Sequence, residues 1–160
     1  MLANECFDAL ARRYMDMVYR IAFSMTKNRA DADDISQNVL LKLYKTDKAF
    51  RDEEHRKSWL IRVTVNECRR LWRSPWRKTE PLEEYAALLP FEDARESEVF
   101  LAVMGLDAKY RAVVVLYYYE GYSLAEIAGL LGIPAATAGT RLARARAKLK
   151  TILQEADCCE

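Results

Sequence analysis

The clearest chemical pattern in the sequence is a group of basic residues close to its C-terminus. Thr137, Arg141, Arg144 and Lys148 recur every three or four residues, so a helix would carry all four on one face. From Thr137 to Lys150 there are five basic residues and no acidic one. Guanidinium and ammonium groups bind phosphates and guanine edges, so the pattern predicts insertion of this helix into a DNA major groove. A solvated basic face is the alternative.

The residues around this basic face predict a helix-turn-helix that positions it. Ser123 and Glu126 form a capping box, which marks the start of a helix. Gly132 suits the left-handed conformation that ends a helix, and Pro134 suits the first turn of the next one. The second helix also has an apolar side, made of Ala138, Leu142, Ala145 and Leu149. We expect this side to pack inward while the basic side faces outward.

A second basic segment, Arg56 to Lys78, contains aromatic residues as well as cations. It has eight basic residues and one acidic residue, Glu67. Single-stranded nucleic acid is bound by cations that follow the phosphates and by rings that stack on the bases. We expect such a site on this helix and the loop before it, formed by Phe50, Trp59, Arg62, Asn66, Arg70 and Trp72. The alternative is that Trp59 belongs to the core and the arginines are only solvated. The C-terminal basic face is expected to have no aromatic residue nearby, which suits an intact duplex.

Charge is distributed unevenly along the 160 residues, although the formal net charge is only +1. The stretch from Thr79 to Asp107 has eight acidic residues and one basic residue. Its first part, Thr79 to Glu98, contains two prolines and is predicted to be a mobile or irregular linker. An apolar fraction of 51% is enough for packed cores on both sides of this linker.

Residue types that support catalysis or metal binding are not grouped in the sequence. There is no glycine-rich phosphate loop, no nucleophile with a base nearby, and no metal-ligand spacing among the four cysteines and the single histidine. We therefore expect no enzyme activity, no bound metal and no cofactor. The adjacent Cys158 and Cys159 are interpreted as part of an unstructured tail, with a redox or metal-sensing role as the alternative.

The sequence favours a cytoplasmic location. The N-terminus lacks the basic region and apolar core of a signal peptide. The longest apolar run, from Ala112 to Tyr119, is too short to span a bilayer. We expect a cytoplasmic protein with reduced thiols.

Apolar periodicity predicts helices and no strands, so the expected fold class is all-α. We expect two small helical domains, residues 1–77 and 98–155, joined by a flexible acidic linker at residues 78–97. The predicted helices run from Phe7 to Lys27, Asp31 to Lys45, Ser58 to Trp72, Glu96 to Gly105 and Asp107 to Gly121, followed by the helix-turn-helix, with a charged loop from Thr46 to Lys57. The outward side of the second helix should carry Asp34, Gln37, Asn38, Leu41 and Lys42. An outward leucine among polar groups indicates a protein-binding face.

Three segments together resemble one protein family. They are ADADDISQNVLLKLYK (residues 30–45), WLIRVTVNECRRLWR (residues 59–73) and SLAEIAGLLGIPAATAGTRLARARAKL (residues 123–149). In this order they resemble bacterial RNA polymerase sigma factors of the extracytoplasmic-function (ECF) group, and the resemblance extends from about Phe7 to Leu153. It implies a promoter-specificity subunit that directs core RNA polymerase to promoter DNA and helps to open the strands.

The resemblance also implies roles for individual residues. The stretch that docks on core polymerase corresponds to Asp34, Gln37, Leu40 and Leu41, although Asn38 stands where an acidic residue is usual. The part that recognises and opens the minus-10 element corresponds to Phe50, Trp59, Arg62, Asn66 and Arg70. The last helix corresponds to the reader of the minus-35 element, through Thr137, Arg141, Arg144 and Lys148. Within it, Ala138, Gly139 and Thr140 replace the common Val, Lys and Ser, and Gly139 lowers helix propensity by about 1 kcal/mol.

Partners follow from the same resemblance. It implies an anti-sigma factor that masks the polymerase-binding faces and can hold the protein at the membrane, and no stable homo-oligomer. The competing interpretation is a stand-alone helix-turn-helix regulator with a helical dimerisation domain. Such a regulator does not need to bind single-stranded DNA, so this interpretation leaves the basic and aromatic segment from Arg56 to Lys78 without a function. A structural helical adaptor would leave both basic faces without a role.

Overall fold

The computed structural model describes residues 4–74 and 94–158. The chain divides into two compact units, residues 1–78 and residues 79–160. All regular structure in the described ranges is helical, which confirms the all-α prediction. The helices are α1 (Asn4–Thr26), α2 (Arg29–Lys45), α3 (Glu53–Trp72), α4 (Ala94–Met104), α5 (Ala108–Val114, continued by a π-helical turn, Val115–Tyr119), α6 (Leu124–Leu131) and α7 (Ala135–Cys158).

The first unit is a three-helix bundle in which α1, α2 and α3 all pack against one another. Its core side chains recur every three or four residues, as an inward-facing helix stripe requires. The largest fully buried side chains among them are Val18, Ile21, Met25, Val39, Leu43, Leu60, Ile61 and Val65. A two-residue connection joins α1 to α2, and the Asn28 side chain caps α2 by accepting a hydrogen bond from the Asp31 amide at 2.9 Å.

The third helix begins five residues before the predicted start at Ser58. The Asp52 side chain caps it by accepting a hydrogen bond from the His55 amide at 2.8 Å. Glu53 and Glu54 in the first turn favour the positive end of the helix dipole. The predicted loop from Thr46 to Lys57 is therefore only seven residues long, residues 46–52.

The end of α3 is tied to α1 through Trp72. Its indole Nε1 donates a hydrogen bond to the Met25 carbonyl at 3.2 Å. The side chain is half-buried. The hydrogen bond uses the polar edge of the indole, and the expectation that this ring lies beside the strand-binding residues stays a prediction.

The second unit contains the predicted helix-turn-helix. Ser123 Oγ accepts a hydrogen bond from the Glu126 amide at 3.2 Å and starts α6. Gly132 ends α6 in the left-handed conformation, with φ 66° and ψ 38°. The second helix of the motif, α7, then begins directly after Pro134. Ala138, Leu142 and Ala145 are buried as expected, and the half-buried Leu149 packs on a cluster of Val103, Leu106, Tyr110, Val114 and Ala145.

Three boundaries of the second unit differ from expectation. The fourth helix starts at Ala94, so residues 94–98 of the predicted linker are helical, while residues 79–93 lie outside the described ranges. It ends at Met104 without a left-handed residue at Gly105. The last helix continues to Cys158, where a tail was expected, and Arg95 binds Asp157 across α4 and α7 at 2.9 Å. Cys159 is not among the described residues.

The apolar run in α5 is helical, as predicted, despite its β-prone residues. It finishes in a π-helical turn, in which the Glu120 amide donates to the Val115 carbonyl at 3.1 Å. Within the described residues, no helix is long and apolar enough to cross a membrane.

Candidate nucleic-acid and protein interfaces

The outward side of α2 is a mixed polar and apolar surface. Asp34, Gln37, Asn38 and Leu41 are exposed, and the Leu41 side chain is 47% exposed. Leu40, the remaining residue of the predicted docking stretch, is only 5% exposed and packs into the core. Leu40 is therefore not accessible to a partner in this structure, and the accessible face consists of the other residues. We call this surface, Asp34, Gln37, Asn38 and Leu41, the α2 face.

A buried carboxylate lies between α2 and α3. Glu67 is 6% exposed; its Oε1 pairs with Lys42 of α2, and its Oε2 accepts a hydrogen bond from Arg70 at 2.6 Å. The sequence pattern counted Glu67 only as an acidic exception in a basic segment. The structure instead makes it the link between the two helices, because each of its oxygens is paired with a cation.

The predicted strand-binding residues lie along one edge of the first unit. Arg62, Asn66 and Arg70 are exposed and recur every four residues on α3. Trp59 is half-buried one turn earlier, so part of its ring remains open to solvent. Arg70 pairs with Glu67, yet its side chain is still 72% exposed.

The loop before α3 brings Phe50 onto this edge. The Phe50 ring meets the Trp59 ring edge to face, with centroids 5.5 Å apart and planes at 62°. It meets the His55 ring in the same way at 5.5 Å. An open cavity of about 350 Å³ lies beside them and is lined by Trp59 together with Lys48, Arg51, Asp52, Glu54, His55, Ser58 and Arg62. Cations and an aromatic ring thus share one concave surface. We call Phe50, Trp59, Arg62, Asn66 and Arg70 the α3 edge.

A group of polar residues connects the Phe50 ring to α1. The Arg56 guanidinium carbon lies 5.3 Å from the centre of the Phe50 ring, and Arg56 also pairs with Glu53. Glu53 accepts a hydrogen bond from the Tyr14 hydroxyl, and Arg13 lies 3.4 Å from the same carboxylate. The hydrogen bond from Tyr14 lowers the pKa of Glu53, and Arg56 and Arg13 add to the effect. Burial, and then the Glu53 carboxylate, raise the pKa of Tyr14.

The basic residues of α7 form the second site. Arg144 and Lys148 are exposed, and Thr137 and Arg141 are half-buried. Thr137, Arg141 and Arg144 line an open concave surface of about 340 Å³ together with Lys109, Tyr110, Ala136 and Thr140. We call Thr137, Arg141, Arg144 and Lys148 the α7 face.

The expectation that no aromatic residue lies near the α7 face is wrong. The Lys148 ammonium lies 5.0 Å from the centre of the Tyr110 ring, and the Lys109 ammonium lies 5.1 Å from it. Tyr110 is only 5% exposed, so its ring supports the cations and is not a platform for an unstacked base. Lys109 adds a cation from α5 that helical spacing along α7 could not reveal.

Arg146 faces away from this group. Its Nε donates a hydrogen bond to the Tyr118 hydroxyl at 2.6 Å, and its guanidinium lies 5.4 Å from the centre of the Tyr117 ring. The hydrogen bond with Tyr118 raises the pKa of the Arg146 guanidinium. Arg146 is therefore used in packing π-helical residues against α7 and does not extend the α7 face.

Across the described ranges, no group of His, Cys, Asp or Glu could hold a metal ion.

Comparison with known proteins gives two family matches and several relatives. Residues 10–78 match Sigma-70 region 2, and residues 96–149 match Sigma-70, region 4. The chain is 35% identical over 150 residues to the ECF RNA polymerase sigma factor SigM of Mycobacterium tuberculosis, covering 92% of this chain and 76% of that protein. It is 29% identical over 171 residues to the ECF RNA polymerase sigma factor SigW of Bacillus subtilis, covering 95% and 91%.

Two solved structures have a similar fold. The sigma factor RpoE, in complex with the anti-sigma factor NepR from Bartonella quintana, matches with a TM-score of 0.72 and 21% identity, over 94% of this chain and 98% of that one. CnrH, in complex with the cytosolic domain of CnrY, matches with a TM-score of 0.64 and 28% identity, over 96% and 90%. Both domains of a sigma factor are thus present in order, and the chain belongs to the ECF family of bacterial RNA polymerase sigma factors.

Proposed function

We propose that this ECF sigma factor divides promoter recognition between its two units, with the α7 face reading duplex DNA and the α3 edge capturing an opened strand. The observation that carries the proposal is the chemical difference between the two surfaces. The α7 face presents cations on a rigid helix, and the Tyr110 ring beneath them is buried. The α3 edge presents cations and an amide beside two rings that remain partly open.

The geometry of the α7 face suits the minus-35 element. A helix that follows a tight turn, with its basic side outward, can enter a major groove and place Arg141 and Arg144 at base edges. Lys109 and Lys148, close to the buried Tyr110, are positioned for phosphates at the groove edge.

The geometry of the α3 edge suits the minus-10 element. Phe50 and Trp59 offer ring surfaces to an unstacked base, and Arg62 and Arg70 offer charge to the backbone of the same strand. Asn66 lies between the two arginines and can donate to and accept from the edge of a flipped base. Such contacts are available only after the strands have separated.

The α2 face is proposed as the surface that docks on core polymerase. An exposed leucine beside an amide and a carboxylate gives an apolar anchor with polar groups around it, as protein interfaces commonly have. The protein itself is not a catalyst in this proposal, since the polymerase performs the chemistry. It acts in the cytoplasm as a monomer and needs no metal or cofactor.

An anti-sigma factor is proposed as a further partner. Two solved structures that are similar to this chain contain the partners NepR and CnrY. A partner of this kind would cover the α2 face and so compete with core polymerase, and a membrane-bound one would hold the protein at the membrane.

Binding to core polymerase tests the docking proposal. A double variant, Gln37→Ala with Leu41→Ala, should bind core polymerase about tenfold more weakly or worse, because burial of a leucine side chain contributes roughly 1.5–3 kcal/mol. Labelled protein titrated with core polymerase and followed by fluorescence anisotropy gives the affinity. Met15→Ala is the matched control, because Met15 is also 47% exposed but lies on α1.

Unchanged affinity of the double variant, with an unchanged far-UV circular dichroism spectrum, would remove the α2 face from the proposal. Light scattering on the same samples reports the oligomeric state. A dimer that does not bind core polymerase but binds a free palindromic DNA duplex would instead support the interpretation as a stand-alone regulator.

A further inference from the structure

Phe50 is the member of the α3 edge that no helix holds. It lies in the loop at residues 46–52, whereas Trp59, Arg62, Asn66 and Arg70 are all carried by α3. A ring on a loop can sample many orientations, and stacking on a base requires that one orientation be held beforehand. Something outside the loop must therefore fix the ring if it is to capture a strand.

The structure provides a continuous set of contacts from the bundle core to this ring. Tyr14 is 5% exposed in α1, and its hydroxyl donates to Glu53. Glu53 pairs with Arg56, whose side chain is only 21% exposed, and the Arg56 guanidinium lies over the Phe50 ring at 5.3 Å. The ring also meets the Trp59 ring edge to face, with centroids 5.5 Å apart. Phe50 thus contacts both Arg56 and Trp59.

These contacts contribute little to the stability of the unit. The Glu53 carboxylate is 45% exposed, and solvent-exposed ion pairs of this kind contribute little to stability. The bundle is held by its apolar core, and Asp52 already caps α3. The network can therefore be altered without unfolding the unit, and its distinctive feature is that it ends on the one aromatic ring in the loop.

We propose that Glu53 and Arg56 are positioning residues for strand capture, which hold the Phe50 ring in the orientation that stacks on an unpaired base. This inference rests on the proposed function of the α3 edge. Arg56 acts through Phe50 and does not bind the strand itself, and Tyr14 anchors the network to the core. Docking on core polymerase and reading of duplex DNA do not depend on it.

The test uses holoenzyme reconstituted with core polymerase and a promoter mapped by sequencing the transcripts that this holoenzyme makes. The probe is a labelled fork-junction DNA, in which the minus-10 element of the non-template strand is unpaired. Phe50→Ala should weaken binding to this probe by about fivefold or more, since loss of base stacking has effects of this size. Arg56→Ala and Glu53→Gln should weaken it by about threefold to tenfold, as a partial loss of the same stacking.

A double variant separates positioning from direct contact. If Arg56 acts through Phe50, Arg56→Ala should have no further effect in a Phe50→Ala protein, because the ring that it positions is gone. If Arg56 binds a phosphate directly, its effect should be the same in both backgrounds, and the inference is then wrong. Arg12→Ala, which removes an exposed cation from α1, is the control for general charge and should leave fork-junction binding unchanged.

Conservative variants keep the test informative if Arg56→Ala fails to fold. Arg56→Lys retains the charge but not the planar guanidinium, and Tyr14→Phe removes only the hydroxyl, so both should weaken fork-junction binding while core-polymerase affinity is unchanged. Unchanged fork-junction binding by both variants would overturn the inference. If Phe50→Ala does not change fork-junction binding, the proposed role of the α3 edge in strand capture is wrong. If Phe50→Ala alone weakens this binding, that role stands and the positioning inference is wrong.

Discussion

Two buried charged side chains each bond to a neighbouring part of their unit. Glu67 is enclosed between α2 and α3, and Arg111 is only 3% exposed in α5. The Arg111 guanidinium donates to the Leu106 carbonyl in the connection between α4 and α5, so it satisfies a main-chain group that would otherwise lose a partner. Charged residues at such positions form hydrogen bonds inside the protein and are not exposed for contact with a partner.

Arg111→Ala should destabilise the second unit. The substitution leaves a cavity and removes a hydrogen bond from a buried carbonyl, which together cost about 2–4 kcal/mol. Urea unfolding can be followed by two signals. All three tryptophans precede Lys78, so their fluorescence reports the first unit, whereas far-UV circular dichroism reports both.

The expected result is an earlier transition by circular dichroism with an unchanged fluorescence transition. Arg95→Ala is the control within the same unit, because the Arg95 ion pairs are exposed and should contribute little to stability. Equal effects of the two variants would show that burial of Arg111 is unimportant.

At this scale the sequence predicted which candidate site residues share a helix face better than it predicted their surroundings. Spacing along one helix was sufficient for Arg62, Asn66, Arg141 and Arg144, because helical periodicity alone decides which side they share. Lys109, Tyr110 and the partners of Glu67 come from other helices. Their positions depend on how helices pack, and no local pattern reports that.

Among the elements, helices with strong end signals were predicted most accurately. Ser123, Gly132 and Pro134 act locally, and the structure starts and ends α6 where they indicate. The start of α3 was missed because Asp52 and the two glutamates after it looked like ordinary loop charges. They are an N-cap and a favourable first turn, which place Glu53 and Arg56 on a helix rather than in a loop.

The glycines of the helix-turn-helix provide a paired prediction. Gly132 has φ 66°, so Gly132→Ala should destabilise the second unit by about 1–2 kcal/mol. Gly139 lies inside α7, and a β-carbon there would meet Leu124 Cδ1 at 3.9 Å, an ordinary contact. Gly139→Ala should therefore stabilise the unit by about 0.5–1 kcal/mol through helix propensity. Thermal unfolding followed by circular dichroism at 222 nm measures both, and a loss of stability in Gly139→Ala would contradict the account.

At the scale of the whole molecule, the uneven distribution of charge matters more than its sum. The net charge of +1 conceals two basic surfaces on two separate units. One is the basic face of a helix in the helix-turn-helix, and the other is an aromatic and cationic edge. An initiation factor needs both kinds of surface, since it must find a promoter while the DNA is paired and hold it once the strands have opened.

The separation of these roles is the central claim, and one measurement tests it most directly. Abortive transcription by reconstituted holoenzyme is compared on a duplex promoter and on the same promoter with a pre-melted bubble. Arg144→Ala should weaken recruitment to the duplex by about 1–3 kcal/mol if it reads a base edge. Asn66→Ala should be recruited normally but should open the strands poorly, because its contact forms only with a flipped base.

The bubble template should therefore restore much of the transcription lost in Asn66→Ala and leave Arg144→Ala impaired. Met15→Ala, which changes an exposed side chain on α1 outside the three proposed surfaces, is the control within the first unit and should match the unmodified protein on both templates. Equal rescue of Asn66→Ala and Arg144→Ala, or rescue of neither, would contradict the division between reading and melting.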